Sequence, residues 1–348
     1  MSLYNDYYRE DLKGAIQNTY NFHELKEKSI LITGATGLIG SFIIDMLLYA
    51  NEHYNMNINI LAMGRSLSRL KERFNDDDTN PFLCFIEHDI NDEIVVDEST
   101  DYIIHAAGNA YPAAFSQDPI GTVMGSIVGT RHLLEYAKAH MMGRFLFVSS
   151  GEVYGQGQGE EQAFKEDFIG GVDSMKVRSC YPLGKQVAEN LCLAYHERYK
   201  LETIIVRPCH IYGPNITDSD NRATAEFIRA GISEENIVMK SEGRQVRSYC
   251  YIGDCASAIL TVLLKGKAGE AYNIAHSEAK CSIKEFAMEV ASEVDKPIIY
   301  NEMNVQEKME QTPITRAVLD TTKLQSLGWN GKFNIKQGIK HTIKILSN

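Results

Sequence analysis

The run Ser29-Ile30-Leu31-Ile32-Thr33 passes directly into Gly34-Ala35-Thr36-Gly37-Leu38-Ile39-Gly40 and then into an apolar helical stretch. Few patterns constrain a chain more. A buried strand must end in a tight turn at glycines and feed a helix whose first turn offers unpaired N–H groups and a partial positive charge. Glycine also lets the backbone approach a pyrophosphate. The loop residues Gly34, Thr36, Gly37, Leu38, Ile39 and Gly40 are therefore expected to bind a dinucleotide. Their Gly-x-x-Gly-x-x-Gly spacing differs from the commoner Gly-x-Gly-x-x-Gly.

The same alternation continues along the chain. Strands are expected over 58–63, 82–87, 102–106, 144–149 and 203–206, and helices over 38–49, over 119–139 and from near Tyr181. This predicts an α/β fold, a Rossmann-type doubly wound parallel sheet covered on both faces. After Pro208 the alternation fades, then returns as strand and helix over 247–264. A smaller α/β substrate domain interleaved in sequence follows from this. Its expected segments are about 208–245 and 277–348, with 28–207 and about 246–276 forming the dinucleotide-binding body. Residues 1–27 read as a helical extension with Leu12 and Ile16 on one face, a surface helix that packs on the domain.

Charge narrows the partners. The 348 residues carry 35 basic and 46 acidic side chains, a net −11, so there is no basic excess to neutralise nucleic-acid phosphates. The longest apolar run, 42–50, is too short for a membrane span and is broken by Asp45. The first ten residues hold acids where a secretion signal needs bases and an apolar run. The seven cysteines include no Cys-x-x-Cys pair and read as reduced core residues rather than disulfides or zinc ligands. A cytoplasmic protein without a metal is expected; Asp76-Asp77-Asp78 reads as a solvated loop.

Where the second strand ends, an acid would engage the ribose 2′-hydroxyl of NAD. The run here is Gly64-Arg65-Ser66, and Arg65 with Ser66 suits the 2′-phosphate of NADP instead. The cofactor expected is NAD(P), leaning to NADP. His88-Asp89-Ile90 closes the third strand, where the carboxylate of Asp89 can accept the adenine amino group. Farther on, Tyr181-Pro182-Leu183-Gly184-Lys185 places a phenol and an ammonium at i and i+4 on one helix face. A neighbouring ammonium favours the phenolate, moving a poor base toward working range.

Together the glycine loop and this pair resemble the extended short-chain dehydrogenase/reductase family, in its nucleotide-sugar epimerase, dehydratase and decarboxylase branch. The resemblance runs from about Ser29 to the C-terminus and includes His105-Ala106-Ala107, Asp118-Pro119, Ser149 to Gly155, Tyr181 to Lys185, Arg207 to Pro214 and Leu327-Gly328-Trp329. It implies a nucleotide-diphosphate sugar as substrate and a homodimer. It implies that Tyr181 takes the C4 hydroxyl proton of the sugar, that Lys185 also holds the nicotinamide ribose, and that Ser150 bonds the same hydroxyl. Ile90, Ala106 and Ala107 fall at cofactor-binding positions.

Ser149-Ser150-Gly151-Glu152-Val153-Tyr154-Gly155 is similar to the signature of the branch's 4,6-dehydratases and glucuronate decarboxylases, which carry a glutamate two before the tyrosine. A carboxylate there can act at C5, made acidic by a 4-ketone. The 4,6-dehydratases acting on dTDP-glucose add an aspartate just before it, where this chain has Gly151. Arg247, in Gly243 to Tyr249, matches a phosphate-contacting arginine of the decarboxylases, and Arg316 is a second candidate. His210 stands at a substrate position where asparagine is usual, Phe115 where decarboxylases have tyrosine, and Ser126 where asparagine is frequent. The resemblance implies a lyase beginning with C4 oxidation, decarboxylase or 4,6-dehydratase. A 4-epimerase or 4-keto-sugar reductase, needing only Tyr181, Lys185 and Ser150, is the alternative. A non-catalytic dinucleotide sensor would have no use for the intact pair.

Overall fold

A computed structural model of the chain describes residues 4–76, 79–95, 99–140, 143–157, 163–305 and 314–347. Seven strands form one parallel sheet: β1 (Ser29–Thr33), β2 (Asn59–Gly64), β3 (Leu83–Glu87), β4 (Tyr102–His105), β5 (Arg144–Val148), β6 (Thr203–Pro208) and β10 (Ala271–Ile274). Their spatial order is β10-β6-β5-β4-β1-β2-β3, and every neighbouring pair is parallel. The expected doubly wound sheet is thus present. Its order reverses between β1 and β4, which opens a crevice outside their carboxyl ends.

Strand alternation divides the apolar side chains between two cores. Ile30, Ile32, Ile60, Ala62, Ile104, Leu146, Val148, Ile204 and Val206 face one. Leu31, Leu61, Met63, Ile103, Phe145, Phe147 and Ile205 face the other. Period-two placement makes this inevitable for strands that read apolar at every position. Helices α5 (Pro119–His140) and α6 (Cys180–Tyr199) pack together over the second face. Helices α2 (Leu38–Tyr54) and α8 (Ile252–Lys265) cover the first.

On that first face lies α1 (Asp6–Asn18), against α2 and α8. Leu12 and Ile16 do face inward, but the helix is more than a surface addition. Tyr8 and Leu12 are fully buried, and Asp11 is buried with them.

The smaller body is built on β9 (Val246–Tyr251), which pairs with β7 (His210–Tyr212), β11 (Lys280–Ser282) and β13 (Arg316–Ala317). β8 (Ile237–Met239) pairs with β12 (Ile298–Tyr300). Helices α7 (Ala223–Ile232), α9 (Ile283–Val294) and the C-terminal helix Ile335–Leu346 pack there. β9, expected with the dinucleotide-binding segment of about 246–276, pairs with β7, β11 and β13, whereas β10 of the same segment joins the seven-stranded sheet. An isolated strand pattern does not reveal which sheet it joins. Asp76 accepts hydrogen bonds from Thr79 and Asn80; Asp77 and Asp78 lie outside the described residues. No helix among the described residues is long and apolar enough to cross a membrane.

Candidate active site

The crevice is a cavity of about 860 Å³ running from the glycine loop to the smaller body. Two of the three glycines are demanded by the protein itself. Gly34 has φ +70°, and a Cβ there would lie 2.7 Å from the Ala106 carbonyl oxygen; one on Gly40 would lie 2.4 Å from that of Gly34. Gly37 differs: its φ is −76°, and it caps α2 without a side-chain hydrogen bond. A Cβ on it would meet only the Gly34 oxygen, at 3.2 Å. It faces the cavity with Gly34, Thr36, Leu38, Ile39 and Gly40, so the α2 N-terminus opens onto a space that suits a pyrophosphate.

The β4 end is fixed by His105. Thr130 donates to the Ser126 carbonyl, so its hydroxyl oxygen accepts from His105 Nε2 at 3.2 Å. His105 Nδ1 then accepts from Thr33 at 2.8 Å, and Thr33 Oγ1 accepts from the Ala107 N–H. Burial and the Lys185 charge push the imidazole down to about 3, so it stays neutral. Ala106 and Ala107 are held at the cavity wall.

At the opposite end Arg65, Asp89 and Ile90 line the cavity, joined by Arg69 and Glu72 of α3 (Leu67–Phe74), which the sequence reading did not find. Arg65 precedes the helix, so no helical periodicity in the sequence links it to Arg69 and Glu72. Ser66 is not among the lining residues: its hydroxyl caps α3, accepting from the Arg69 N–H at 3.3 Å.

Tyr181 lies in the first turn of α6, 7% exposed, with its ring stacked on Phe115 at 4.6 Å. Its hydroxyl meets that of Ser150, which also accepts from the Glu152 N–H at 3.1 Å. Lys185 does not relieve the phenol as the i, i+4 spacing predicts. Its ammonium donates to the Val148 carbonyl at 2.8 Å and stands 5.9 Å from the centre of the Tyr181 ring. Burial pushes the phenol up to about 12; Glu152 adds to the rise, while Ser150, Arg222 and Arg178 oppose it. Burial likewise pushes Lys185 down to about 8, against the pull of Glu189.

Glu152 is gripped by Arg178, whose Nη2 donates to Oε1 at 3.1 Å and whose Nη1 forms an ion pair with Oε2 at 3.1 Å. Arg178 also lies over Phe115, 4.5 Å from the ring centre. The preceding Gly151 is confined: a Cβ there would lie 3.3 Å from both Leu319 and the Pro208 carbonyl.

Across the cavity, Arg247 is only 1% exposed and donates to the Val246 and Ile314 carbonyls. No carboxylate among the described residues pairs with it. Arg222, bonded to Asp220 through Nε and Nη2, lines the same wall and had no motif to mark it. Between these charges His210 is held neutral by burial and by both arginines. Arg316 does not line the cavity, whereas its neighbour Ala317 does. In short, the structure brings Ser150, Gly151, Glu152, Tyr181, Lys185, His210 and Arg247 to one cavity, and leaves Ser66 and Arg316 out of its lining.

Residues 30–275 match the model of the NAD dependent epimerase/dehydratase family. The chain is 30% identical to UDP-glucuronic acid decarboxylase 6 of Arabidopsis thaliana over 310 residues, 89% of this chain and 86% of that protein. The fold is similar to dTDP-glucose 4,6-dehydratase of Bacillus anthracis, solved with NAD (TM-score 0.76, 22% identity, 91% of this chain and 96% of that one). It is also similar to UDP-glucuronic acid 4-epimerase of Bacillus cereus, solved with UDP-glucuronic acid and NAD (TM-score 0.77, 22% identity, 91% and 98%).

Because Gly37 alone of the three glycines has a negative φ and a Cβ there would come no closer than 3.2 Å to the backbone, Gly37→Val is expected to stay folded with some loss of melting temperature and to abolish NAD(P) binding. Calorimetric titration checks this; undiminished binding would remove the loop from the cofactor site.

Proposed function

The chain belongs to the NAD dependent epimerase/dehydratase family, and on that premise we propose that it decarboxylates a nucleotide-linked glucuronate, UDP-glucuronic acid being the first substrate to test. Bound NAD(P) supplies a hydride acceptor at C4 that later returns the hydride. Tyr181, bonded to Ser150, receives the C4 hydroxyl proton. Lys185, buried on the same helix face, would hold the nicotinamide ribose. The resulting 4-ketone makes the C6 carboxylate a β-keto acid. The C5–C6 bond breaks to release carbon dioxide, its electron pair passing to C5 and the ketone oxygen. C5 then takes a proton of solvent origin, and Tyr181 returns its proton to O4 as C4 is reduced again.

Gly151 is the observation that favours this over 4,6-dehydration. Dehydration needs an acid to protonate the departing O6 hydroxyl, and the position where related dehydratases carry it is a glycine crowded by Leu319 and Pro208. Decarboxylation makes no such demand. Arg178 pairs with the Glu152 carboxylate and fixes its orientation in the cavity. Glu152 is thereby suited to orient the sugar and the water that delivers a proton to C5. The curated decarboxylase relative supports the same reading. Arg247 and Arg222 suit the diphosphate.

Finer points of the proposal rest on single features. At the adenosine end Arg65 and Arg69 stand with Glu72 and Asp89, two charges of each sign; with Asp89 read as the acceptor for the adenine amino group, the two guanidiniums favour a 2′-phosphate and hence NADP. Ile120 and Met124, one turn apart on α5, and Val187 and Leu193 on α6 are exposed, which supports a homodimer through that helix layer. The cysteines form no disulfide among the described residues and four of the seven are buried, which fits a reducing cytoplasm.

With UDP-glucuronic acid the product should lose 44 mass units and, in deuterium oxide, carry deuterium at C5. Glu152→Gln should still reduce cofactor but turn over about 10²–10⁴-fold more slowly, whereas Tyr181→Phe should stop the first hydride transfer. An unchanged mass would hand the case to an epimerase, a gain of two mass units to a reductase, and unchanged Glu152→Gln turnover to either. Arg65→Ala should weaken NADP about tenfold and leave NAD unaffected, as roughly 1.4 kcal/mol of charged hydrogen bonding implies; retention of NAD alone by the wild type ends that preference. Sedimentation should give twice the chain mass of 39.1 kDa, and a monomer at every concentration would exclude the α5–α6 interface.

A further inference from the structure

Helix α1 lies outside the residues that match the family, which begin at 30, yet it joins the cofactor helix to the opposite wall of the cavity. Its buried residues Tyr8, Asp11, Leu12, Ala15 and Ile16 follow helical spacing. The Tyr8 ring meets Phe42 of α2 edge-on at 5.6 Å. Its hydroxyl donates to Asp45 of α2 at 2.5 Å and accepts from the Asn215 side chain at 2.8 Å. Asn215 also donates to Ser41, one residue after Gly40, at 3.1 Å. Asp45, the charge that interrupts the apolar run of α2, is neutralised by Arg73 at 2.5 Å and bonded by Tyr4.

Asn215 opens the segment that reaches the cavity. Thr217, Asp218, Ser219, Asp220 and Arg222 all line it. The segment is braced from beyond by Arg229, which donates to the Thr217 and Asp220 carbonyls. Its near end rests on Asn215, whose side-chain donor is shared between Tyr8 and Ser41. The distance between the phosphate-binding turn of α2 and the wall carrying Arg222 is therefore set through Asn215, which is held by Ser41 of α2 and by the Tyr8 phenol of α1. On its other flank α1 offers Asp11, which accepts from Tyr251 at the end of β9 and pairs with His341 at 2.8 Å. Arg247 lies four residues before Tyr251 on that strand.

We propose that α1, through the Tyr8 hydroxyl and Asn215, is a positioning element that holds the 217–222 wall against the cofactor helix and so tunes affinity for the sugar nucleotide. This rests on the reading of the cavity as a nucleotide-sugar site. The step is one of placement: Tyr8 touches neither substrate nor cofactor.

The test uses the full chain with Tyr8→Phe, which keeps the ring on Phe42 and removes the hydroxyl, and Asn215→Ala, which cuts the link from the other side. Tyr4→Phe is the control, since it removes a phenol from Asp45 without touching Asn215. Amide hydrogen exchange over 213–222 should quicken about tenfold in the first two variants and not in the third. Affinity for UDP-glucuronic acid, by calorimetry, should fall about threefold to thirtyfold in step, with NAD(P) affinity unchanged. Wild-type exchange in both variants overturns the proposal. So does equal quickening in Tyr4→Phe, which would mean general loosening, or faster exchange without any loss of sugar-nucleotide affinity. If the wild type fails to bind UDP-glucuronic acid, the substrate reading falls, and exchange over 213–222 still decides whether Tyr8 holds the wall.

Discussion

A single buried carboxylate ties together the catalytic edge of the sheet. Glu189, on α6 one turn beyond Lys185, accepts from the Ser149 hydroxyl at 2.5 Å and from Arg207 through Nε and Nη2 at 2.9 and 2.7 Å. Arg207 passes the link to the Tyr154 hydroxyl and the Glu166 carbonyl, and Tyr154 to Asn273. The carboxyl ends of β5, β6 and β10 are thereby locked to the helix that carries Tyr181 and Lys185. A buried ion pair adds little net stability, yet losing one partner strands a charge at about 3–5 kcal/mol. The network's value lies in placement. Ser150 follows directly on Ser149, and the nearby Glu189 charge counteracts the burial that lowers Lys185.

This anchoring explains why the sequence announces some parts of the site and conceals others. The glycine loop and the Tyr181–Lys185 pair are local: one needs a strand and a helix on either side, the other a single helical turn. Both could be read from neighbouring residues. Arg178 could not, because its partner Glu152 is 26 residues away and the two meet only where α6 begins beside the β5 loop. Arg222 and Glu72 were hidden for the same reason; their places are set by loop and helix packing, not by spacing within a motif. Ser66 and Arg316 illustrate the converse. Each occupies a plausible position in the chain, but Ser66 spends its hydroxyl on a helix cap, and Arg316 sits beside the residue that reaches the cavity.

The fold was legible for a related reason. Buried parallel strands leave runs of apolar residues that stand out against helices, and observed boundaries differ from the expected ones by few residues except at the end of α2, which continues to Tyr54. The misplacement of β9 shows the limit. Its sequence is as strand-like as that of β6, and only the partners it finds, β7, β11 and β13, assign it to the smaller sheet.

The phenol and the ammonium raise a last question of charge. Burial raises Tyr181 to about 12 and lowers Lys185 to about 8, so in the protein alone the proton sits firmly on the phenol. That is the wrong state for a base, and neither Ser150 nor the two nearby arginines suffices to reverse it. The i, i+4 spacing places the lysine correctly along the helix, but Val148 takes its ammonium at 2.8 Å. Additional positive charge must therefore reach the phenol when the cavity is filled. The family's oxidised dinucleotide carries such a charge on its nicotinamide ring. On the proposed function, base strength at Tyr181 would thus be coupled to cofactor occupancy, and the phenol would become a base only once both parts of the reaction are assembled.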